Sequence, residues 1–250
     1  MLPQKGENMM YQSRFDGMKT GRMVCVVGLI GTGKSTLTSM MAKTREGAIG
    51  LYEPASKTNP YLAQYYADCA AGLKGGKNCG AMMQIFLLTK RLEQHRYAQA
   101  YALAGGSSVS DSTIFSDQCF VSMLEKDGTI EKRDADTYYE LLANMSRELL
   151  YPSAIVFLDV TPEKALERIA KRMSEKAGRK CEAGIPVEYL RQLRAEYVEL
   201  LANLQRFTHV IRLDWNDDKT PEQLEDTAKE LWQQIDLLHE TQPIGCRMGL

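Results

Sequence analysis

The 250-residue sequence has no surplus of either charge. Lys and Arg total 31, Asp and Glu total 32, and the formal net charge is -1. Proteins that hold nucleic-acid polymers or anionic membrane surfaces usually carry a strong basic excess, so no nucleic-acid polymer and no membrane is expected as partner. The sequence also lacks any C-x-x-C pair. Its six cysteines, Cys25, Cys69, Cys79, Cys119, Cys181 and Cys246, are scattered, which removes the ligand spacing of zinc sites. Scattered thiols in a chain of this size point to a reduced, cytoplasmic setting. No apolar run approaches the roughly 18 residues that span a bilayer. Residues 1–22 hold no apolar signal segment and include Glu7 and Asp16, so they are expected to form a flexible N-terminal extension.

What is present is an alternation of short apolar runs with helical stretches. Residues 23–30, MVCVVGLI, form a β-branched run bounded by glycine, the pattern of a buried parallel strand. Similar runs lie near Ala48, Ser107, Ala154 and His209. Helical spacing runs over 81–103, 134–150, 161–176 and 187–204. Thr161 followed by Pro162 has the pattern of an N-cap and first helical position. Strands alternating with helices predict an α/β domain with a parallel sheet over 23–239, followed by a tail over 240–250.

The segment Gly28-Leu29-Ile30-Gly31-Thr32-Gly33-Lys34-Ser35 matches G-x-x-x-x-G-K-[ST], directly after an expected strand and before an expected helix. That context is what the motif requires. Glycines let successive backbone N–H groups face phosphates, and the helix N-terminus adds its positive dipole end. Lys34 would reach the outer phosphates, and the Ser35 hydroxyl would ligate Mg²⁺. The loop alone specifies only a nucleoside triphosphate. The N-K-x-D guanine reader of GTPases is missing.

Other polar groups cluster at expected strand ends, where ligands bind in open parallel sheets. Glu53 follows the second strand and could take a proton from an attacking hydroxyl. Asp111 ends the third strand and is a candidate metal or phosphate-site carboxylate. Asp159 ends the fourth; a metal-site role and a strand-end capping role are both open. Gln84 and Arg91 are seven apart on an expected helix, so they share a face. A Gln amide can pair with a base edge, and Asp117 could orient Arg91. Lys164, Arg168, Lys171, Arg172, Lys176, Arg179 and Lys180 form a basic run. It reads either as a solvated helix face or as a lid over phosphates.

Six segments in order resemble the deoxynucleoside kinases: GLIGTGKST, EPASKTNPYLAQYYAD, MMQIFLLTKRLEQHR, SDSTIFSD, FLDVTPEKALERIAKR and GRKCEAGIPVEYLRQL. The resemblance implies a P-loop kinase fold, a five-stranded parallel sheet flanked by helices with an arginine-rich lid. It implies ATP as cofactor on Gly28, Gly31, Gly33, Lys34, Ser35 and Thr36, with Mg²⁺ at Ser35 and Asp111. Glu53 resembles the family's general base, and Gln84, Arg91 and Asp117 its base readers. Tyr66 and Glu182 resemble the pair facing the sugar 3′-hydroxyl. Arg168, Arg172 and Arg179 resemble the lid arginines, with Lys34, Arg172 and Arg179 catalytic beside Glu53. The implied reaction is phosphorylation of a deoxynucleoside 5′-hydroxyl in nucleotide salvage, with thymidine disfavoured, by a homodimer pairing through helices near 81–103 and 134–150. Two departures stand out. Ser112 follows Asp111 where the family has arginine, and residues 173–177 lengthen the lid. A nucleoside monophosphate kinase and an inactive nucleotide-binding regulator are the alternatives.

Overall fold

The computed structural model describes residues 21–52, 59–174 and 184–241. Five strands appear where the apolar runs predict them: β1 (Met23–Gly28), β2 (Ala48–Leu51), β3 (Ser107–Asp111), β4 (Ala154–Asp159) and β5 (His209–Asp214). All pair in parallel, in the order β2-β3-β1-β4-β5. Parallel neighbours need long crossovers, and helices supply them: α1 (Lys34–Lys43), α2 (Leu62–Ala70), α3 (Gly80–Leu103), α4 (Gln118–Lys126), α5 (Lys132–Ser146), α6 (Pro162–Ser174), α7 (Val187–Leu204) and α8 (Pro221–Thr241).

The two central strands β1 and β4 are buried along almost their whole length. That explains why they read as continuous apolar runs rather than alternating ones. Helices on both sides contribute Leu37, Leu88, Val121, Leu193, Tyr197 and Trp232 to one core around Val24, Val26, Ile155 and Phe157.

Two element limits differ from the sequence expectation. The first strand stops at Gly28 rather than residue 30, because Gly28 (φ 155°) already turns the chain into the phosphate loop. α5 runs over Lys132–Ser146 rather than 134–150. There the Leu150 N–H donates to Gln99 Oε1 (2.7 Å) and its carbonyl accepts from His95 Nε2 (2.8 Å), so α3 holds the chain out of helical geometry. Thr161 Oγ1 accepts from the Lys164 N–H (3.3 Å), the expected cap of α6. No helix among the described residues is long and apolar enough to cross a membrane.

The chain leaves β1 toward β3 and β2 on one side and toward β4 and β5 on the other. This reversal opens a crevice at the C-terminal strand ends, and the phosphate loop leaves β1 there.

Candidate active site

Gly31 and Gly33 adopt left-handed backbone, with φ 83° and 86°. At Gly31 there is a second demand: a Cβ would lie 2.7 Å from Ile169 Cγ1 on α6. The loop therefore packs directly on the helix that leads toward residues 175–183. Gly33 caps α1 and its carbonyl accepts from the N–H groups of Thr36 and Leu37. The Lys34 ammonium donates to the carbonyls of Gly28 (3.2 Å) and Leu29 (2.9 Å), which lays its stem along the loop.

The Ser35 hydroxyl donates to Asp111 Oδ2. The other carboxylate oxygen, Oδ1, is buried with no hydrogen-bond partner among the described residues. A hydroxyl and a carboxylate side by side, with one carboxylate oxygen unsatisfied, fit a hard divalent cation.

These groups edge a cavity of about 700 Å³. Its middle is residues 30–36 of the phosphate loop. One end is lined by Tyr66, Arg91 and Asp117 with the apolar Met83, Leu87 and Phe120. The other is lined by Arg168, Lys171 and Arg172 of α6 and by Trp215, Asp217, Asp218 and Lys219 after β5. At the first end, Arg91 Nε donates to Asp117 Oδ2 (3.3 Å) and Nη1 to the Asp111 carbonyl (2.7 Å). One guanidinium thus spans both ends of the segment from Asp111 to Asp117. Gln84, on the same face of α3 as Leu87 and Arg91, is buried, and its Oε1 has no partner among the described residues.

The arginines of α6 divide. Arg168 donates from Nε to Asp218 Oδ1 (3.0 Å), from Nη1 to the Trp215 carbonyl (2.9 Å), and from Nη2 to the carbonyls of Asn216 (3.3 Å) and Asp217 (3.1 Å). Its guanidinium is engaged in shaping the loop after β5. Arg172 lines the cavity one helical turn further on. Glu53, Arg179 and Glu182 lie outside the described residues, as do residues 175–177 of the lid insertion.

Asp159 does not line the cavity. It accepts from Arg194 Nε (2.8 Å) and Arg212 Nε (2.8 Å). Burial works to raise its pKa, but the two guanidinium groups outweigh that and hold the carboxyl below its ordinary value. Of its two open roles, the structure gives it the capping of β4 and the tethering of α7.

Sequence reasoning missed the loop 215–219. The rule of C-terminal strand ends, applied to β5, would have pointed there. It also missed Tyr197, a fully buried cavity residue whose hydroxyl burial keeps protonated.

Comparison with known proteins matches this geometry. The deoxynucleoside kinase family model covers residues 24–236. The chain is 34% identical over 223 residues to a deoxyadenosine kinase of Dictyostelium discoideum, covering 89% of this chain and 84% of that protein. It is 29% identical over 198 residues to a deoxyguanosine kinase of the same organism, covering 78% and 65%. Among solved structures, deoxyadenosine kinase from M. mycoides with products dCMP and a flexible dCDP bound superposes with a TM-score of 0.69 at 25% identity, over 86% of this chain and 98% of that one. The same enzyme with bound dATP gives 0.67 at 26% identity, over 84% and 98%. The five-stranded parallel sheet flanked by helices is thus that of a P-loop kinase fold, and the chain belongs to the deoxynucleoside kinase family, whose enzymes phosphorylate deoxynucleosides.

Proposed function

We propose that the protein transfers the γ-phosphoryl group of ATP to the 5′-hydroxyl of a deoxynucleoside in nucleotide salvage, with deoxyadenosine foremost and deoxyguanosine and deoxycytidine accepted. The observation that carries this is the buried Arg91–Asp117 pair at one end of the cavity, with the phosphate loop at its middle. A guanidinium beside a carboxylate offers donors and an acceptor together. Adenine and cytosine present the complement, an amino group next to a ring nitrogen. The buried amide of Gln84, seven residues before Arg91 on the same helix face, would add a further donor and acceptor. Similarity to a deoxyadenosine kinase favours adenine over cytosine.

In this reading the chain does little covalent chemistry of its own. Glu53, two residues beyond β2, takes the proton of the 5′-hydroxyl. The freed oxygen bonds to the γ-phosphorus as the bond from that phosphorus to the β–γ bridging oxygen breaks, and ADP leaves. Lys34, Arg172 and Arg179 stabilise the charge on the moving group. Ser35 and Asp111 would hold Mg²⁺, which supplies charge neutralisation at the phosphates when bound. Tyr66 and Glu182 hold the sugar. Pairing of two copies through α3 belongs to the same proposal, supported by its exposed Met82, Tyr97 and Leu103.

Incubation with Mg-ATP and each of the four deoxynucleosides, with the products resolved, tests the assignment. Deoxyadenosine should give the 5′-monophosphate with the highest kcat/KM and thymidine the lowest. Turnover of thymidine above the other three would overturn it. Conversion of added monophosphate alone would instead mark a nucleoside monophosphate kinase, and binding without turnover a regulator.

A further inference from the structure

Ser112 is the one non-glycine residue among those described with a positive φ, 77°. It sits at the C-terminal end of β3, one residue after the carboxylate that meets Ser35. L-residues rarely hold this backbone unless their surroundings enforce it. The surroundings can be named. The Ser112 N–H extends the sheet ladder to the Val26 carbonyl (2.8 Å). Its hydroxyl lies 2.8 Å from the hydroxyl of Ser116. Ser116 Oγ donates to the Thr113 carbonyl (2.8 Å) and accepts from the Thr113 N–H (3.3 Å). The two hydroxyls share a hydrogen bond in which either can be the donor. All of these groups are buried.

The consequences reach the site through the backbone. The peptide between Asp111 and Ser112 carries the carbonyl that accepts from Arg91 Nη1. Rotating Ser112 out of the left-handed region turns that peptide. It would move the Asp111 carboxylate relative to Ser35 and release Arg91 from one of its anchors. We propose that Ser116 is a positioning residue that locks Ser112 in left-handed backbone, and so sets both Asp111 and Arg91 in the active site. The inference rests on the roles assigned above to Asp111 and Arg91.

Glycine separates this role from a merely structural one, because it holds a positive φ without help. Ser116→Ala should lower kcat for deoxyadenosine about tenfold. Adding Ser112→Gly to that variant should restore kcat to within about threefold of the parent. At position 112 itself, Ala and Gly both remove the hydroxyl, yet only Ser112→Ala should lose activity. This second pair keeps the test open if Ser116→Ala does not fold. A double variant as slow as Ser116→Ala, or equal kcat for Ser112→Ala and Ser112→Gly, would overturn the proposal. Crystal structures of the parent and Ser116→Ala give a readout independent of turnover. Ser112 should leave positive φ in the variant and the Ser35–Asp111 contact should open. A retained φ near 77° with the contact intact would refute the lock even if the protein phosphorylated no deoxynucleoside, an outcome that would separately refute the proposed function.

Discussion

Arg91 and Asp117 each leave only 4% of their side chains exposed. Charges this deeply buried stabilise little as a pair but cost much when one is orphaned. Asp117→Ala should therefore destabilise the protein by about 3–5 kcal/mol, read from urea denaturation without ligand. Arg91→Met combined with Asp117→Ala should recover much of that loss, because no unpaired charge remains. Neither variant should read deoxyadenosine well, so stability and kcat/KM would part company in the double variant. Part of this pair was legible in the sequence. Helical spacing put Arg91 on one face with Gln84, Asp117 was a candidate to orient it, and the resemblance gave all three the reading of the base. What spacing could not show is that Arg91 also grips the Asp111 carbonyl. A backbone acceptor leaves no trace in residue type. Nor could it show that Gln84 is buried with its Oε1 unpartnered among the described residues, since seven residues fix a direction along a helix and not the depth of burial.

At the level of elements, β1 and β4 were legible because burial on both faces makes each a short apolar run, whereas β2 and β5 are only partly buried and β3 is buried but mostly polar. Helices α2, α4 and α8 were not named. α2 and α4 have only nine residues each, too short for the period to stand out. α8 does carry Leu224, Ala228, Leu231, Trp232 and Ile235 at helical spacing, all buried, so its signal was present. The basic run on α6 was legible as charge but not as a division of labour. Arg168 ties α6 to the loop 215–218 through three carbonyls and one carboxylate. Trp215 in that loop comes within 3.9 Å of where a Cβ on Gly33 would stand. The loop, the phosphate loop and α6 are thus one mechanical unit at that end of the cavity. Arg168→Met should loosen that unit without removing a charge from the transferring phosphoryl. The expected result in steady-state kinetics is a KM for ATP raised about tenfold, with kcat within about threefold. A fall in kcat at unchanged KM would instead place Arg168 on the transition state.

For the molecule as a whole, α8 closes the architecture. It follows the loop 215–219 and returns to the far end of α1, whose head is the phosphate loop. There the Trp232 indole N–H donates to the Met41 carbonyl (2.9 Å). The Arg45 guanidinium lies 4.4 Å from the centre of the indole ring. Asp236 accepts from both Arg22 (3.0 Å) and Arg45 (2.9 Å), joining the entry of β1 to the exit of α1. Trp232 is buried in the same core as β1 and β4 but does not line the cavity. Its loss should be felt by the fold rather than by the chemistry. Trp232→Ala should cost about 3–5 kcal/mol, the usual range for emptying an aromatic site in a packed core. In a domain of this size each kcal/mol moves Tm by roughly 2–4 °C, so calorimetry should show a drop of about 6–20 °C. Because one core joins all the elements, the transition should stay single. ATP at a hundredfold excess over its Kd should return about 2.7 kcal/mol of the loss, provided the variant still binds it. Below the transition, kcat should match the parent within about threefold. A variant that kept its Tm but lost ATP affinity would mean that α8 serves the phosphate loop directly, rather than the packing on which the loop is mounted.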